Sequence, residues 1–179
     1  GARPSRQCAR ADTTPAAATV RKLAVSDVRI IDPDSRLRDE LGDAEKVIDG
    51  DENKGWETDT YTAAKFGNNK KGMGVWIDLG APHTVKSLQA VLSATNASAE
   101  LYAGTSDFAS SSSGDKQLLA SYRNNRIGQP FEDHDGSKMT FNGFNADQKY
   151  RYLLLWITEL PPNDRGYQIG VQEITVQGS

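Results

Sequence analysis

The sequence predicts an all-β protein, an antiparallel jelly-roll β-sandwich, and three observations carry that prediction. Short β-type runs recur along the chain between turn clusters, and no stretch shows three turns of helical periodicity. The third is a pair of segments built to meet. Val47-Ile48 breaks into the acidic turn Asp49-Gly50-Asp51-Glu52-Asn53-Lys54-Gly55 and then Trp56-Glu57-Thr58, and near the C-terminus Gly170 to Val176 reads as a closing strand with one acid, Glu173, among β-formers. At 179 residues the chain suffices for one sandwich with its own core and is short for two full domains.

Residues 1–23 are rich in Ala, Thr, Pro, Ser and Arg and read as a flexible linker, leaving 24–179 as the binding domain. Cys8, the only cysteine, falls in that linker, so no intrachain disulfide is available. The start Gly1-Ala2-Arg3-Pro4, with neither Met nor an apolar leader, reads as the beginning of an excised piece. Strands are expected at Val28–Ile31, Gly74–Leu79, Thr84–Leu92, Ala99–Ala103, Gln117–Tyr122, Lys138–Phe141, Arg151–Thr158 and Tyr167–Val176. Arg36–Leu41 fits a short helix or a turn, and Ser110–Gly114 a flexible surface loop. Trp56, Trp76 and Trp156 sit in or beside apolar patterns and are assigned to the core.

A net charge of −3 with no basic stripe argues against nucleic-acid binding. The longest apolar stretch, Tyr152–Ile157, is far below the roughly 20 residues that span a bilayer. Neither His83 nor His134 has a nucleophile motif nearby, and His134 lies in an acidic run, Glu132 to Asp135, that reads as a solvated loop. The chain therefore reads as a binding module and not as an enzyme. Asp49, Asp51 and Asn53 alternate as in a calcium loop, but Lys54 and Thr60 stand where an EF-hand needs Gly and Glu. An irregular calcium site and a polar turn closed on its own N–H groups both fit. Tyr61, Phe66, Arg165 and Tyr167 fall in segments read as loops, near amides that suit sugar hydroxyls. Lys65 to Gly74 combines three lysines with three glycines, which fits a donor-rich anion or sugar-phosphate loop, or a solvated hairpin. The expected recognition face is Tyr61, Lys70, Lys71, Arg165 and Tyr167.

The order Asp49-Gly50-Asp51, Gly55-Trp56-Glu57-Thr58, Gly74-Val75-Trp76-Ile77-Asp78-Leu79-Gly80 and Gln172-Glu173-Ile174 resembles the discoidin, or coagulation-factor type C, galactose-binding-like superfamily over about residues 25–178. More narrowly, Asp49-Gly50-Asp51 through Trp56-Glu57-Thr58-Asp59-Thr60-Tyr61, followed by Lys70-Lys71-Gly72-Met73-Gly74-Val75 and Asp78-Leu79-Gly80, resembles the extracytoplasmic C-terminal domain of actinobacterial MviN (MurJ-like) proteins. In those, a flippase-type membrane portion precedes a cytoplasmic pseudokinase, a further span and this outer domain. The resemblance implies an extracytoplasmic domain of a membrane protein, anchored through a preceding segment. Its expected partner is a cell-wall glycan or lipid-linked precursor, or else a cell-envelope protein. It also implies a structural calcium held by Asp49, carbonyls near Asp51 and Gly55, and Glu173. Gly55 departs from the pattern, since such relatives often carry Thr there.

Overall fold

A computed structural model describes residues 19–35 and 37–179, so Cys8 and most of the expected linker lie outside the described residues. The strands are β1 (Arg21–Lys22), β2 (Asp27–Ile31), β3 (Trp56–Glu57), β4 (Met73–His83), β5 (Val85–Leu92) and β6 (Ser98–Gly104). They continue as β7 (Lys138–Asn142), β8 (Tyr150–Glu159), β9 (Pro162–Asn163), β10 (Gly166–Tyr167) and β11 (Gly170–Gly178). Among the described residues one α-helix, α1 (Ser112–Tyr122), lies between β6 and β7, and 3-10 turns occupy Ala44–Ile48 and Phe66–Asn68. The front sheet runs β1-β11-β5-β7 with β3 also on β11, and the back sheet runs β2-β4-β8-β6. Every pairing is antiparallel. Within the stretch 1–23, Arg21 pairs with Gly178 and Lys22 with Gln177, so these two residues belong to the front sheet.

Alternation sends Val75 and Ile77, Leu101 and Ala103, and Leu153, Leu155 and Ile157 inward against Leu88, Ala90, Ile174 and Val176 of the front sheet. The opposite face of the back sheet is buried as well. There Ile31, Trp76, Tyr102, Leu154 and Trp156 form a second core with Leu118 and Tyr122 of α1. Burial on both faces accounts for the unbroken apolar run in β8, and it places all three tryptophans in cores, as the sequence implied.

α1 corrects two expectations. Gln117–Tyr122 is helix, not strand, and within Ser110–Gly114 Ser111 is the N-cap and Ser112–Gly114 the first turn of that helix, not a flexible loop. Ser111 caps the N-terminus by accepting from the Gly114 N–H at 2.9 Å. Asp115, Leu118 and Tyr122 then fall on one buried face. The Tyr122 ring covers Gly104 so closely that a Cβ there would stand 2.0 Å from it. The described part of Arg36–Leu41 takes the turn alternative. No described helix is long and apolar enough to cross a membrane.

Register decides where the long loops gather. Ile31 pairs with Gly74, Met73 with Ile157, Ser98 with Glu159, Leu92 with Val171 and Val91 with Lys138. The connections 32–55, 58–72, 93–97, 127–137 and 160–169 therefore all open at one end of the sandwich.

Candidate ligand-binding site

The loops following β2 and preceding β4 face each other at this end and are tied by a buried charge network. The Lys70 ammonium, its side chain 8% exposed, donates to Asp32 Oδ2 at 2.9 Å and Glu40 Oε1 at 2.8 Å. Glu40 also accepts from the Tyr61 hydroxyl at 2.6 Å and the Asp59 N–H at 2.8 Å, while its carbonyl takes the Trp56 indole N–H at 2.6 Å. Burial alone would lower the Lys70 pKa, but hydrogen bonds with Glu40, Tyr61 and Asp32 outweigh it and hold the ammonium well above its ordinary range. Burial raises Asp32, with Lys70 opposing. Asp115, also buried, pairs with Arg29 at 2.8 Å and Arg38 at 3.0 Å and accepts the Asp32 N–H, so α1 joins the same scaffold.

The Lys70 ammonium, expected on the recognition face, is thus engaged with Asp32, Glu40 and the Met73 sulfur, while its side chain borders a cavity described below. Phe66, read as a loop ring, is fully buried. Tyr61 and Tyr167 lie side by side through a two-way backbone pairing at 2.8 and 2.9 Å. Tyr61 is half-buried, packs edge-on to Phe66 with centroids 5.2 Å apart and lies beneath Lys70, so it anchors the loop. Burial raises its phenol pKa, and the Glu40 carboxylate adds to the shift. Tyr167 packs against the main core. Arg165 is exposed at the tip of the β9–β10 hairpin, where its N–H and that of Gly166 bond Asn163 Oδ1. Lys71 projects to solvent, and its backbone N–H is held by Asp34 at 3.0 Å.

The expected cation loop is folded by its own side chains. Asp49 accepts the Asp51 N–H and Asp51 the Asn53 N–H, each at 2.9 Å, in successive Asx turns. Glu173, 3% exposed, reaches across from β11 to accept the Gly50 N–H at 3.0 Å. It points there because β11 bulges between Val171 and Glu173. Burial raises the Glu173 pKa, the Gly50 N–H opposes this, and the Asp49 charge adds to it. Asp49 and Glu173 thus both close the turn by accepting its backbone N–H groups. Gly55 is required by geometry, because a Cβ at this position would lie 1.9 Å from the Val171 carbonyl oxygen. A second acidic group, Asp39, Glu40 and Asp59, brings carboxylate oxygens within 4.8 Å of one another, with Glu40 already committed to Lys70 and Tyr61.

Two cavities open on the back-sheet side of the loop end. One, of about 280 Å³, is lined by Ser98, Glu100, Phe131, Glu132, Asp133 and Glu159, among others. The other, about 410 Å³, is lined by Lys65, Asn68, Lys70, Lys71, Thr158 and Glu159. Phe131 is half-buried, with its ring against His134 and edge-on to Phe141. Glu100, Phe131, Glu132 and Glu159 were not expected site residues. The acidic run at 132–135 was visible as a loop, but it is the Ala99–Phe131 bridge, together with the β6–β8 register, that brings it to Glu100 and Glu159.

Comparison with solved structures places this architecture. The family 32 carbohydrate-binding module of AlyQ, in complex with 4,5-unsaturated mannuronic acid, aligns with a TM-score of 0.55 and 15% identity over 87% of this chain and 97% of that one. Chitosan-binding module 1 of a chitosanase/glucanase from Paenibacillus sp. IK-5 aligns with a TM-score of 0.57 and 16% identity over 88% and 98%. The fold is that of these modules. At these identities the likeness concerns the fold alone, an antiparallel β-sandwich of the all-β class that the sequence predicts. No protein-family model and no curated protein matches the chain.

Proposed function

We propose that this chain is a non-catalytic carbohydrate-binding domain that takes a cell-wall glycan, peptidoglycan or its lipid-linked precursor, at the loop end of the sandwich. The observation that carries the reading is the pair of adjoining cavities at the loop end, which share Thr158 and Glu159. Fold relatives described as chitosan-binding or as complexed with an unsaturated uronic acid support a glycan as ligand. A protein-docking domain would instead expose a contiguous apolar patch of several hundred Å². Among the described residues the only exposed large hydrophobics are Val20 and Leu37. The likeness of residues 49–61 and 70–80 to the outer domain of MviN-type proteins supports an extracytoplasmic position, on a parent protein held in the membrane through a preceding segment.

We also propose that Asp49, Glu173 and carbonyls near Asp51 and Gly55 hold a structural calcium, whose role is to neutralise the buried Glu173 and fix the turn. Titration calorimetry with soluble muropeptides and lipid II analogues, in calcium and then in chelator, tests both proposals. Saturable heat and retention on purified peptidoglycan are expected. A folded domain that gives neither refutes the glycan reading, and binding and melting unchanged by chelator refute the calcium.

A further inference from the structure

The two cavities at the loop end carry opposite charge and share a wall. Around Phe131 stand Glu100, Glu132, Asp133 and Glu159, with no basic group in the lining. Beyond Thr158 and Glu159, which line both cavities, the other half presents Lys65 and Lys71 with Asn68. Several of these charges are already engaged. Glu100 is met by Arg126 at 3.7 Å and by the Tyr102 hydroxyl, Asp133 accepts from Asn96 Nδ2 at 2.9 Å, and Lys70 is committed to Asp32 and Glu40. Glu132 and Glu159 therefore remain for a ligand on one side, and Lys65 and Lys71 on the other. Among the described residues the one ion pair between the halves is Lys65–Glu159, at 3.9 Å between side chains 71% and 43% exposed. A contact so long and so solvated is weak and easily displaced.

We infer that this groove selects a zwitterionic glycan or glycopeptide. An ammonium group sits against Glu132 and Glu159 over the Phe131 ring, and a carboxylate sits on Lys65 and Lys71. The inference rests on the glycan reading above and narrows its ligand class. Carboxylates alone would be satisfied by water; selection comes from the lysines opposite them across the Thr158–Glu159 strand end. A polyanion places like charge against Glu132 and Glu159, and a polycation places it against Lys65 and Lys71. Each mismatch is repulsive, whereas a ligand with both groups meets its complement in both halves. The half-buried ring adds an apolar face for sugar C–H groups and attraction for a cation above it.

The test uses the whole chain and four probes. These are a disaccharide-peptide with a free amine and free carboxylates, the same compound with its amine acetylated, the same compound with its carboxylates amidated, and a glucosamine oligomer. Affinities are read by calorimetry at low and high salt. Masking either charge is expected to weaken binding about tenfold, with the difference shrinking in salt. Glu132→Gln with Glu159→Gln removes the preference for the free amine alone, and Lys65→Ala with Lys71→Ala removes the preference for the free carboxylates alone. All four side chains are at least partly exposed, and melting curves confirm that the variants fold. Equal affinity for masked and unmasked peptides, or glucosamine bound as tightly as the zwitterion, overturns the inference while leaving glycan binding intact. Failure of every probe, and of neutral cell-wall oligosaccharides, with a folded domain overturns the glycan reading as well.

Discussion

Lys70→Ala separates a structural lysine from a recognition lysine. The wild-type ammonium bonds two carboxylates at 2.9 and 2.8 Å, and the side chains of those partners, Asp32 and Glu40, are 0% and 3% exposed. Removing one member of a buried ion pair leaves its partner charged and dry, which costs about 3–5 kcal/mol. Tyr61 and the Asp59 N–H still serve Glu40, so Asp32 bears most of the loss. For a domain of this size each kcal/mol lowers Tm by about 2–4 °C, so a fall of roughly 6–20 °C is expected. Urea unfolding followed by tryptophan fluorescence measures the free energy directly, since Trp56 and Trp76 sit in the two cores. Lys70→Met combined with Asp32→Asn and Glu40→Gln is expected to recover most of the loss, because no unpaired charge then remains. A single-variant loss below about 1 kcal/mol with an unchanged m-value, accompanied by weaker glycan binding, would refute the structural reading and return Lys70 to the recognition face.

Three further outcomes follow from other parts of the structure. Burial raises the Glu173 pKa above its ordinary 4.5, so its contribution to stability is full below that value and is lost as pH rises through the folded pKa. Glu173→Gln is therefore expected to melt higher than the wild type at neutral pH in chelator, with the advantage vanishing below pH 4.5. Calcium should reverse that order, and a melting scan over pH with and without calcium checks both. Gly55→Thr, which installs the residue that the superfamily resemblance leads one to expect there, is expected to destabilise by about 3 kcal/mol or more without improving calcium affinity, because its Cβ meets the Val171 carbonyl oxygen. Denaturant titration alongside calcium calorimetry tests this. Gly104→Ala drives a methyl into the Tyr122 ring and is expected to cost about 1–3 kcal/mol, seen in melting and in the near-ultraviolet signal of Tyr122 and Trp76, which share a hydrogen bond at 3.1 Å.

Most strands were legible because β-branched and aromatic runs bounded by turn residues report burial directly, as in Tyr152–Ile157. The helix was hidden for a specific reason. Its inward face begins with Asp115, a carboxylate that breaks the apolar pattern, and only the fold brings Arg29 and Arg38 to neutralise it. The preceding serines, which cap the helix, look the same as a flexible loop when no helix is recognised behind them. The loop end was harder to read still. In Lys65-Phe66-Gly67-Asn68-Asn69-Lys70-Lys71 nothing local says which lysine turns inward. That choice is made by Asp32 and Glu40, 38 and 30 residues away in sequence. The acidic half of the groove is likewise a product of register, assembled from β6, β8 and the loop before β7.

The pairing of β1 with the last strand has a mechanical consequence. Arg21 lies beside Gly178, while Gly170, at the other end of the nine-residue β11, lies among the loops. At about 3.4 Å per residue, Arg21 is roughly 27 Å from the groove end. Anything tethering the domain on that side holds it by its base, and the mouth of the groove points outward. Tension drawn through that tether loads the short β1–β11 seam first, where two residue pairs can unzip one after the other while the loops holding a ligand stay unstrained.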